Sequence, residues 1–376
     1  MHEKVAVAVV GLGWGEVHVK HFLAREDVEV VAVCARRQES ANRIGDLYDI
    51  PLRTTSYEEV LALDRLDIVS IATPPYLHHD QAIGAIERGC HVLCEKPLAM
   101  NAAESAAMLD AAERAGVVHG TYYEYRLLPN FQRFHQLLAD GFLGELRHAT
   151  MHWMSAWSAD PKMTWSFRNS RELGGYGILG DISHFMDDLN WHFGPISSLV
   201  AELRTWVPER PDEQGRPRLN ELEDGVAWIA TSANGGQVCG HISRCAPKVG
   251  YRFIECFGTE GMLKLTMPAE LDELNTTLEG AHGDEKSPID LSVPTVEAEV
   301  ETIEDRFVSA IRDRSVPVVA SFADGLAAME LADAMRESSE SHDWVSVGGA
   351  GPRARRQGPD ARSAGLASTL GTVSQE

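Results

Sequence analysis

The sequence predicts an α/β protein in two parts: a doubly wound parallel sheet over residues 1–123, then an α+β part with an open, largely antiparallel sheet over 124–347. Three observations carry this. The first third alternates short, unbroken apolar runs with amphipathic ones, as in a parallel sheet covered by helices on both faces. A glycine-rich turn follows the first run directly. From about residue 145 the runs lengthen and alternate apolar with polar, the mark of a sheet with one buried face. The 376 residues, 44% of them apolar, also exceed what one hydrophobic core accommodates, since cores stop growing near roughly 250–300 residues.

In order, "VAVAVV" (5–10), "VEVVAVC" (28–34), "LDIVSIAT" (66–73) and "CHVLC" (90–94) are apolar on both faces and read as buried parallel strands. Among the helices between them, "NAAESAAMLDAAERAG" is the clearest. Asn101 can cap it, Glu104 completes a capping box and Gly116 suits a left-handed stop. In the second part "LRHATMHWMSAW", "GVAWIATSA", "GQVCGHISRC" and "YRFIECFGTEGMLKL" read as antiparallel strands, with a turn at Asn234-Gly235-Gly236. Helical patterns at about 178–193, 301–313 and 322–338 are expected to cover that sheet's other side. Segments 207–224 and 266–297 read as polar, Pro-bearing loops. The stretch from Gly348 to Glu376 holds no aromatic residue and is rich in Gly, Ala, Ser and Arg, so a disordered tail is expected there.

Charge narrows the function classes. The formal charge of -22, from 34 basic and 56 acidic residues, repels phosphate backbones and anionic membranes, which argues against nucleic-acid and membrane partners. An anionic substrate would need a local Arg or Lys cluster. The six cysteines form no CxxC pair and lie mostly in apolar runs, so they read as reduced thiols of a cytoplasmic protein. The N-terminal apolar run is too short, and its sequel too glycine-rich, for a secretory signal or a membrane span.

The glycine turn is "VVGLGWGEVH" (9–18). Gly11, Leu12, Gly13, Trp14 and Gly15 follow a strand and open a helix, where a dinucleotide pyrophosphate rests in the Rossmann arrangement. The third glycine is out of register: Gly15 comes one residue early and Glu16 holds its place. At the end of the second strand, about 20 residues on, a carboxylate would select a free ribose 2'-hydroxyl. Ala35, Arg36 and Arg37 stand there instead, which favours NADP(H) over NAD(H), with NAD(H) the alternative. "ATPPYLHHDQA" (72–82) fixes a loop at a strand's carboxyl end, where open α/β sheets bind ligands. His78 and His79, being adjacent, point apart and make a poor metal pair, so no metal is expected. In "HVLCEKPLAM" (91–100) a buried strand ends abruptly in Glu95, Lys96 and Pro97. Read alone, the two charges pair as a strand cap.

The ordered series "VGLGWG", "IATPPYLHHDQA", "GCHVLCEKPLA", "RLLP", "GGYGILGDISHFMDD", "EDGVAWIAT", "FGTEGMLKL" and "WVSV" resembles the Gfo/Idh/MocA family, named for glucose-fructose oxidoreductase, inositol dehydrogenase and rhizopine catabolism. The resemblance runs from residue 4 to about 347. It implies a nucleotide-binding Rossmann domain, a second α/β domain, and hydride transfer between a nicotinamide and a sugar, cyclitol or related carbonyl. It also implies a homodimer or homotetramer. By position it places Gly11, Gly13 and Trp14 at the pyrophosphate, Arg36 near the adenosine ribose, Thr73, Pro74 and His78 beside the cofactor, and Glu95 near the nicotinamide ribose. Pro97 would follow a cis peptide and Lys96 would reach the reacting oxygen. Arg126 and Arg168 fall near the cofactor or substrate, and Tyr123, Glu124 and Trp165 shape the pocket. Two other classes share these motifs: a lyase or glycosidase using bound nicotinamide as an internal redox switch, and a nucleotide-bound sensor without catalysis. Retention of Lys96 and His184 argues against the sensor.

In "DISHFMDDLNWHF" helical spacing sets Ile182, Phe185, Leu189 and Phe193 on one apolar stripe, and Asp181, His184 and Asp188 on another. His184 is the natural proton donor or acceptor. The family spaces Asp and His by four; this chain spaces them by three and keeps the HxxD from His184 to Asp187. Either Asp181 or Asp188 would then orient the imidazole.

Overall fold

A computed structural model describes residues 3–248, 250–267, 275–294, 296 and 300–348. The expected tail, from residue 349 on, and the middle of the 266–297 loop lie outside the described residues.

Six parallel strands form the first sheet: β1 (Val5–Val10), β2 (Val28–Cys34), β3 (Leu52–Thr54), β4 (Ile68–Ile71), β5 (His91–Cys94) and β6 (His119–Thr121). Their order is β3-β2-β1-β4-β5-β6. The order reverses at β1, so a crevice opens at the carboxyl ends of β1 and β4, where such sheets bind nucleotides. Every residue of β1 and β4 is buried, consistent with their unbroken apolar runs. β3 and β6 are three residues long, too short to stand out by pattern. Asn101 caps the 102–115 helix by accepting from Glu104 N, and Gly116 ends it at φ +65°.

The second sheet has nine strands: β7 (Leu146–Met154), β8 (Ile196–Arg204), β11 (Gly225–Ser232), β12 (Gln237–Ser243), β13 (Tyr251–Gly258), β14 (Gly261–Met267), β15 (Thr277–His282), β16 (Ile289–Asp290) and β17 (Val345–Ser346). A separate two-stranded ribbon, β9 (Glu209–Pro211) and β10 (Pro217–Leu219), lies inside the expected 207–224 loop. The large sheet runs β16-β15-β14-β13-β7-β12-β11-β8-β17 and is open. Only the β12–β7 pair is parallel. One face packs on helices 129–139, 184–193 and 322–341 through a core that includes Phe131, Phe134, Phe185, Leu189, Trp228 and Met329.

Two helical expectations change. The 303–312 helix does not cover the second sheet: Ile303, Phe307, Val308 and Ala310 join Val5, Val7, Val9, Val19 and Phe22 in the first domain's core. Contacts Arg25–Asp305 (3.1 Å) and His21–Glu304 (3.0 Å) fix its polar side there. Amphipathicity told that this helix buries one face but not which sheet receives it. The helix expected at 178–193 is broken at Ile182 (φ -119°, ψ 42°) into 178–181 and 184–193. Ile182, Phe185, Leu189 and Phe193 are all buried as expected, yet the break re-aims everything before it.

Candidate active site

The site grows from four strand ends on one edge of the first sheet, those of β1, β2, β4 and β5. After β1, Gly11 sits at φ +91°, and a Cβ there would lie 2.4 Å from the Ala72 carbonyl oxygen, so only glycine fits. A Cβ on Gly13 would meet nothing within 4 Å. The backbone there is open to an approaching phosphate, with the N-terminus of helix 15–23 beside it. A Cβ on Gly15 would come 3.0 Å from Val9 Cγ1 and 3.3 Å from Ala72 Cβ. Gly15 therefore provides the close helix-to-strand packing of a third glycine despite its early position. The turn fits a dinucleotide pyrophosphate. Leu12 packs partly on the core below, while Trp14 stands exposed. After β2, Ala35 is buried and Arg36 and Arg37 are exposed, Arg37 at the cap of helix 38–48.

After β4, Thr73 Oγ1 donates to Gln81 Oε1 at 2.7 Å, and Pro74 leads into a short turn. His78 differs from expectation. It is wholly buried, with Nδ1 3.0 Å from Pro97 O and Nε2 2.7 Å from Thr73 O. Burial holds its pKa below the usual histidine value, the two carbonyls opposing. His78 thus staples the end of β4 to the end of β5 by both ring nitrogens.

After β5, Glu95 Oε2 accepts from Lys96 N at 3.0 Å, and its Oε1 lies 3.3 Å from His18 Nε2. His18 is itself fixed, with Nδ1 2.8 Å from Ser70 Oγ and its ring stacked on Tyr122 at 4.3 Å. Burial pushes the Glu95 pKa up, but His18 and Lys96 outweigh it and leave the carboxyl below its ordinary value, hence ionised. The Lys96–Pro97 peptide is cis, as the resemblance implied. Lys96 does not spend its ammonium on Glu95: Nζ donates to the Asp181 carbonyl at 2.7 Å, across the domain boundary. The bare strand-cap reading of this stretch fails on that contact.

The facing wall comes from the second domain. His184 opens helix 184–193, buried against the rings of Tyr125 (4.4 Å) and Tyr123 (5.6 Å, edge-on). Its Nε2 lies 3.4 Å from Glu124 Oε1. Burial, then the positive charges of Lys96 and Arg252, push its pKa well below the usual value. All three influences favour the neutral imidazole. Neither aspartate expected to orient it does so. Asp181, turned by the break at Ile182, accepts from Arg168 Nε (3.0 Å) and Arg244 Nη1 (2.7 Å). Asp188 binds Arg252, a buried guanidinium caged by Tyr125, Phe131, Trp153 and Phe185. Glu124 is the carboxylate beside His184 instead.

Other expected residues are engaged by partners within the protein. Arg126 is a brace: Nε and Nη2 grip Asp187 at 2.8 and 2.6 Å, Nη2 also reaches Asp324 at 2.9 Å, and Nη1 donates to Val319 O. The retained HxxD thus serves an ion pair, since Asp187 faces Arg126. Trp165 donates Nε1 to Leu219 O at 3.0 Å and carries the Arg218 guanidinium on its face at 3.5 Å, lining a surface groove with Arg171, Glu172 and Glu221. Tyr123 is fully buried beneath His184. Sequence reading missed His18, Arg244, Asp224 and Arg252. His18 could have been noticed as an imidazole on the apolar stripe of its helix, four residues before Phe22. The arginines had no local signal.

The family signature described as an oxidoreductase family with an NAD-binding Rossmann fold matches residues 5–123, and that of the GFO/IDH/MocA C-terminal domain matches 131–264. The chain belongs to the Gfo/Idh/MocA oxidoreductase family. An oxidoreductase from Synechocystis sp. is 30% identical, covering 91% of this chain and 96% of its own. The levoglucosan dehydrogenase of Pseudarthrobacter phenanthrenivorans is also 30% identical over 88% of this chain and 90% of its own. A levoglucosan dehydrogenase structure in complex with NADH and L-sorbose superposes with a TM-score of 0.83 at 27% identity, covering 92% of this chain and all of the other. Among Gfo/Idh/MocA proteins this chain therefore resembles sugar dehydrogenases over nearly its whole described length.

Proposed function

We propose that this Gfo/Idh/MocA protein is a cytoplasmic dehydrogenase or reductase that moves a hydride between NADP(H), or alternatively NAD(H), and a sugar, cyclitol or sugar-derived ketone. One observation supports this above the others: the Lys96 ammonium and the neutral His184 imidazole converge between the strand-end edge and the second domain. When bound, the nicotinamide supplies the hydride acceptor or donor. Lys96, with one N–H held by the Asp181 carbonyl, has two left to stabilise an alkoxide developing on the reacting carbon. His184 takes the hydroxyl proton during oxidation and returns it during reduction. Its depressed pKa favours the neutral imidazole. Glu95, held ionised by His18, accepts hydrogen bonds from a ribose hydroxyl. The levoglucosan and D-apiose dehydrogenases among its relatives support a carbohydrate substrate.

The absence of a carboxylate at Ala35, with Arg36 and Arg37 exposed beside it, supports the 2'-phosphate. Fluorescence titration should find NADPH bound more tightly than NADH, with Ala35→Asp reversing the order; NADH preferred by the unaltered protein overturns that choice. The sheet face turned away from the core supports a homodimer or homotetramer. There His152 stacks on Tyr251 and Phe253 at 5.5 and 5.3 Å, and Ile229, two strands over on the same sheet, is exposed. The central test is net turnover: free nucleotide reduced in proportion to a sugar or cyclitol oxidised. Isomerised or cleaved product without net reduction would favour internal redox cycling instead.

A further inference from the structure

We infer that the wall behind Asp181 is a subsite for an anionic substituent, a carboxylate or a phosphate, and that the natural substrate is an acidic sugar or sugar phosphate. This rests on the carbohydrate-oxidoreductase reading and narrows it. A small cavity here is lined by Trp157, Met163, Thr164, Arg168, Arg210 and Arg244. In a chain of formal charge -22, three guanidiniums meet at one hollow. The carboxylates touching them are Asp181 and Asp224 alone among the described residues.

The bonding leaves donors over. Asp181 takes only Nε from Arg168, whose guanidinium carbon lies over the Phe167 ring at 4.5 Å from its centre. Arg244, with no side-chain exposure, gives Nε to Asp224 and Nη1 to Asp181. Its Nη2 is buried without a hydrogen-bond partner among the described residues. A buried guanidinium edge without an acceptor is costly unless a ligand supplies one. Arg210 pins the 158–160 backbone through Ser158 O, Ser158 Oγ and Asp160 O, and meets no carboxylate. Asp181 thus orients Arg168 by its inner Nε and Arg244 by one terminal nitrogen, and leaves the Arg244 Nη2 and the outer N–H groups of Arg168 for an oxyanion, which guanidinium recognises well. Its own carbonyl meanwhile fixes Lys96. Asp181 thus links the two places, its carboxylate at the arginines and its carbonyl at Lys96.

Calorimetric titration of the nucleotide-saturated protein with methyl β-D-glucuronide, glucose 6-phosphate and methyl β-D-glucoside tests this without requiring turnover. At least one anion should bind on the order of tenfold more tightly than the neutral glucoside, and which one does separates carboxylate from phosphate. Arg168→Gln, which removes the half-exposed guanidinium but keeps an amide able to donate to Asp181, should weaken the anion far more than the glucoside and so erase most of the preference. Lys96→Met should keep the preference, because the anion is held by the arginines. Equal binding of all three, glucoside alone, or no binding overturns the subsite. Nucleotide reduction is read separately: tight glucuronide binding with no hydride transfer to any sugar would sink the oxidoreductase reading and leave the subsite standing.

Discussion

The two walls of the cleft are built on opposite principles. On the first-domain wall each functional group stands within a few residues of a strand's carboxyl end and keeps at least one local contact, Lys96 N to Glu95, Thr73 to Gln81 and His78 to Thr73, beside the longer reaches of Lys96 to Asp181 and Glu95 to His18. On the second-domain wall the groups are fixed from far along the chain. Asp181 is held by Arg168 and Arg244, Asp188 by Arg252, Asp187 by Arg126. One wall is a topological inheritance, since any open parallel sheet offers its carboxyl edge to ligands. The other is an electrostatic assembly, and changing it costs fold as well as function.

The largest expected effect tests the assembled wall. His184→Ala should lower turnover by roughly a hundred- to ten-thousandfold if the imidazole is the main proton carrier. Because its pKa is held below the usual value, turnover of the unaltered protein should be flat near neutrality and fall only as pH drops through that depressed value. Glu124→Gln removes a negative charge 3.4 Å away that favours the imidazolium, so the acid limb should move to still lower pH. A limb that moves instead with Asp181→Asn or Asp188→Asn would restore an aspartate partner and contradict the geometry.

Arg126→Met tests the same wall for stability rather than chemistry. It leaves Asp187 buried with no cation beside it, a change that costs about 3–5 kcal/mol. Thermal melts should show a clear fall, smaller at acid pH where Asp187 can take up a proton. An unchanged melting temperature would mean that Arg126 is free for ligand after all.

The inherited wall offers the counterpart. Lys96→Met should cut turnover by roughly a hundredfold or more while nucleotide affinity changes little. Near-full activity would return "EKP" to the role of a strand cap.

The same contrast explains what was legible in the sequence. Period, glycine and proline placement are local, so the Rossmann half and the strand ends carrying Gly11, Thr73, Glu95 and Lys96 could be read directly, whereas any role for Glu95 and Lys96 beyond a strand cap came only from the family resemblance. His78 shows the limit: its place at a strand end was visible, but whether its ring faced a ligand or two backbone carbonyls depended on Pro97, 19 residues on. In the second half the apolar stripe through Phe185 and Leu189 was legible, while the partner of His184 was not. Helical spacing assumed an unbroken helix, and the break at Ile182 sent Asp181 to arginines 13 residues before and 63 after it. Charge partners at such separations leave no periodic trace. The 303–312 helix went to the wrong sheet for a related reason, because amphipathicity is blind to which core receives it.

The smallest expected effect concerns the glycine turn, and it separates inheritance from ligand binding within one loop. Gly11 and Gly15 are explained by the protein alone: a Cβ at either would press on Ala72, and at Gly15 on Val9 as well. Gly13 has no such explanation, since a Cβ there meets no protein atom within 4 Å and its φ is not in the left-handed region. Gly13→Ala should therefore change stability by no more than about 0.5 kcal/mol, the range of ordinary surface substitutions. If a pyrophosphate lies against this backbone, the same methyl group should weaken NADPH and NADH together, without altering the preference between them. Equal nucleotide affinity before and after the substitution would show that the phosphates rest elsewhere on the helix N-terminus, and would leave Gly13 without a function in the turn.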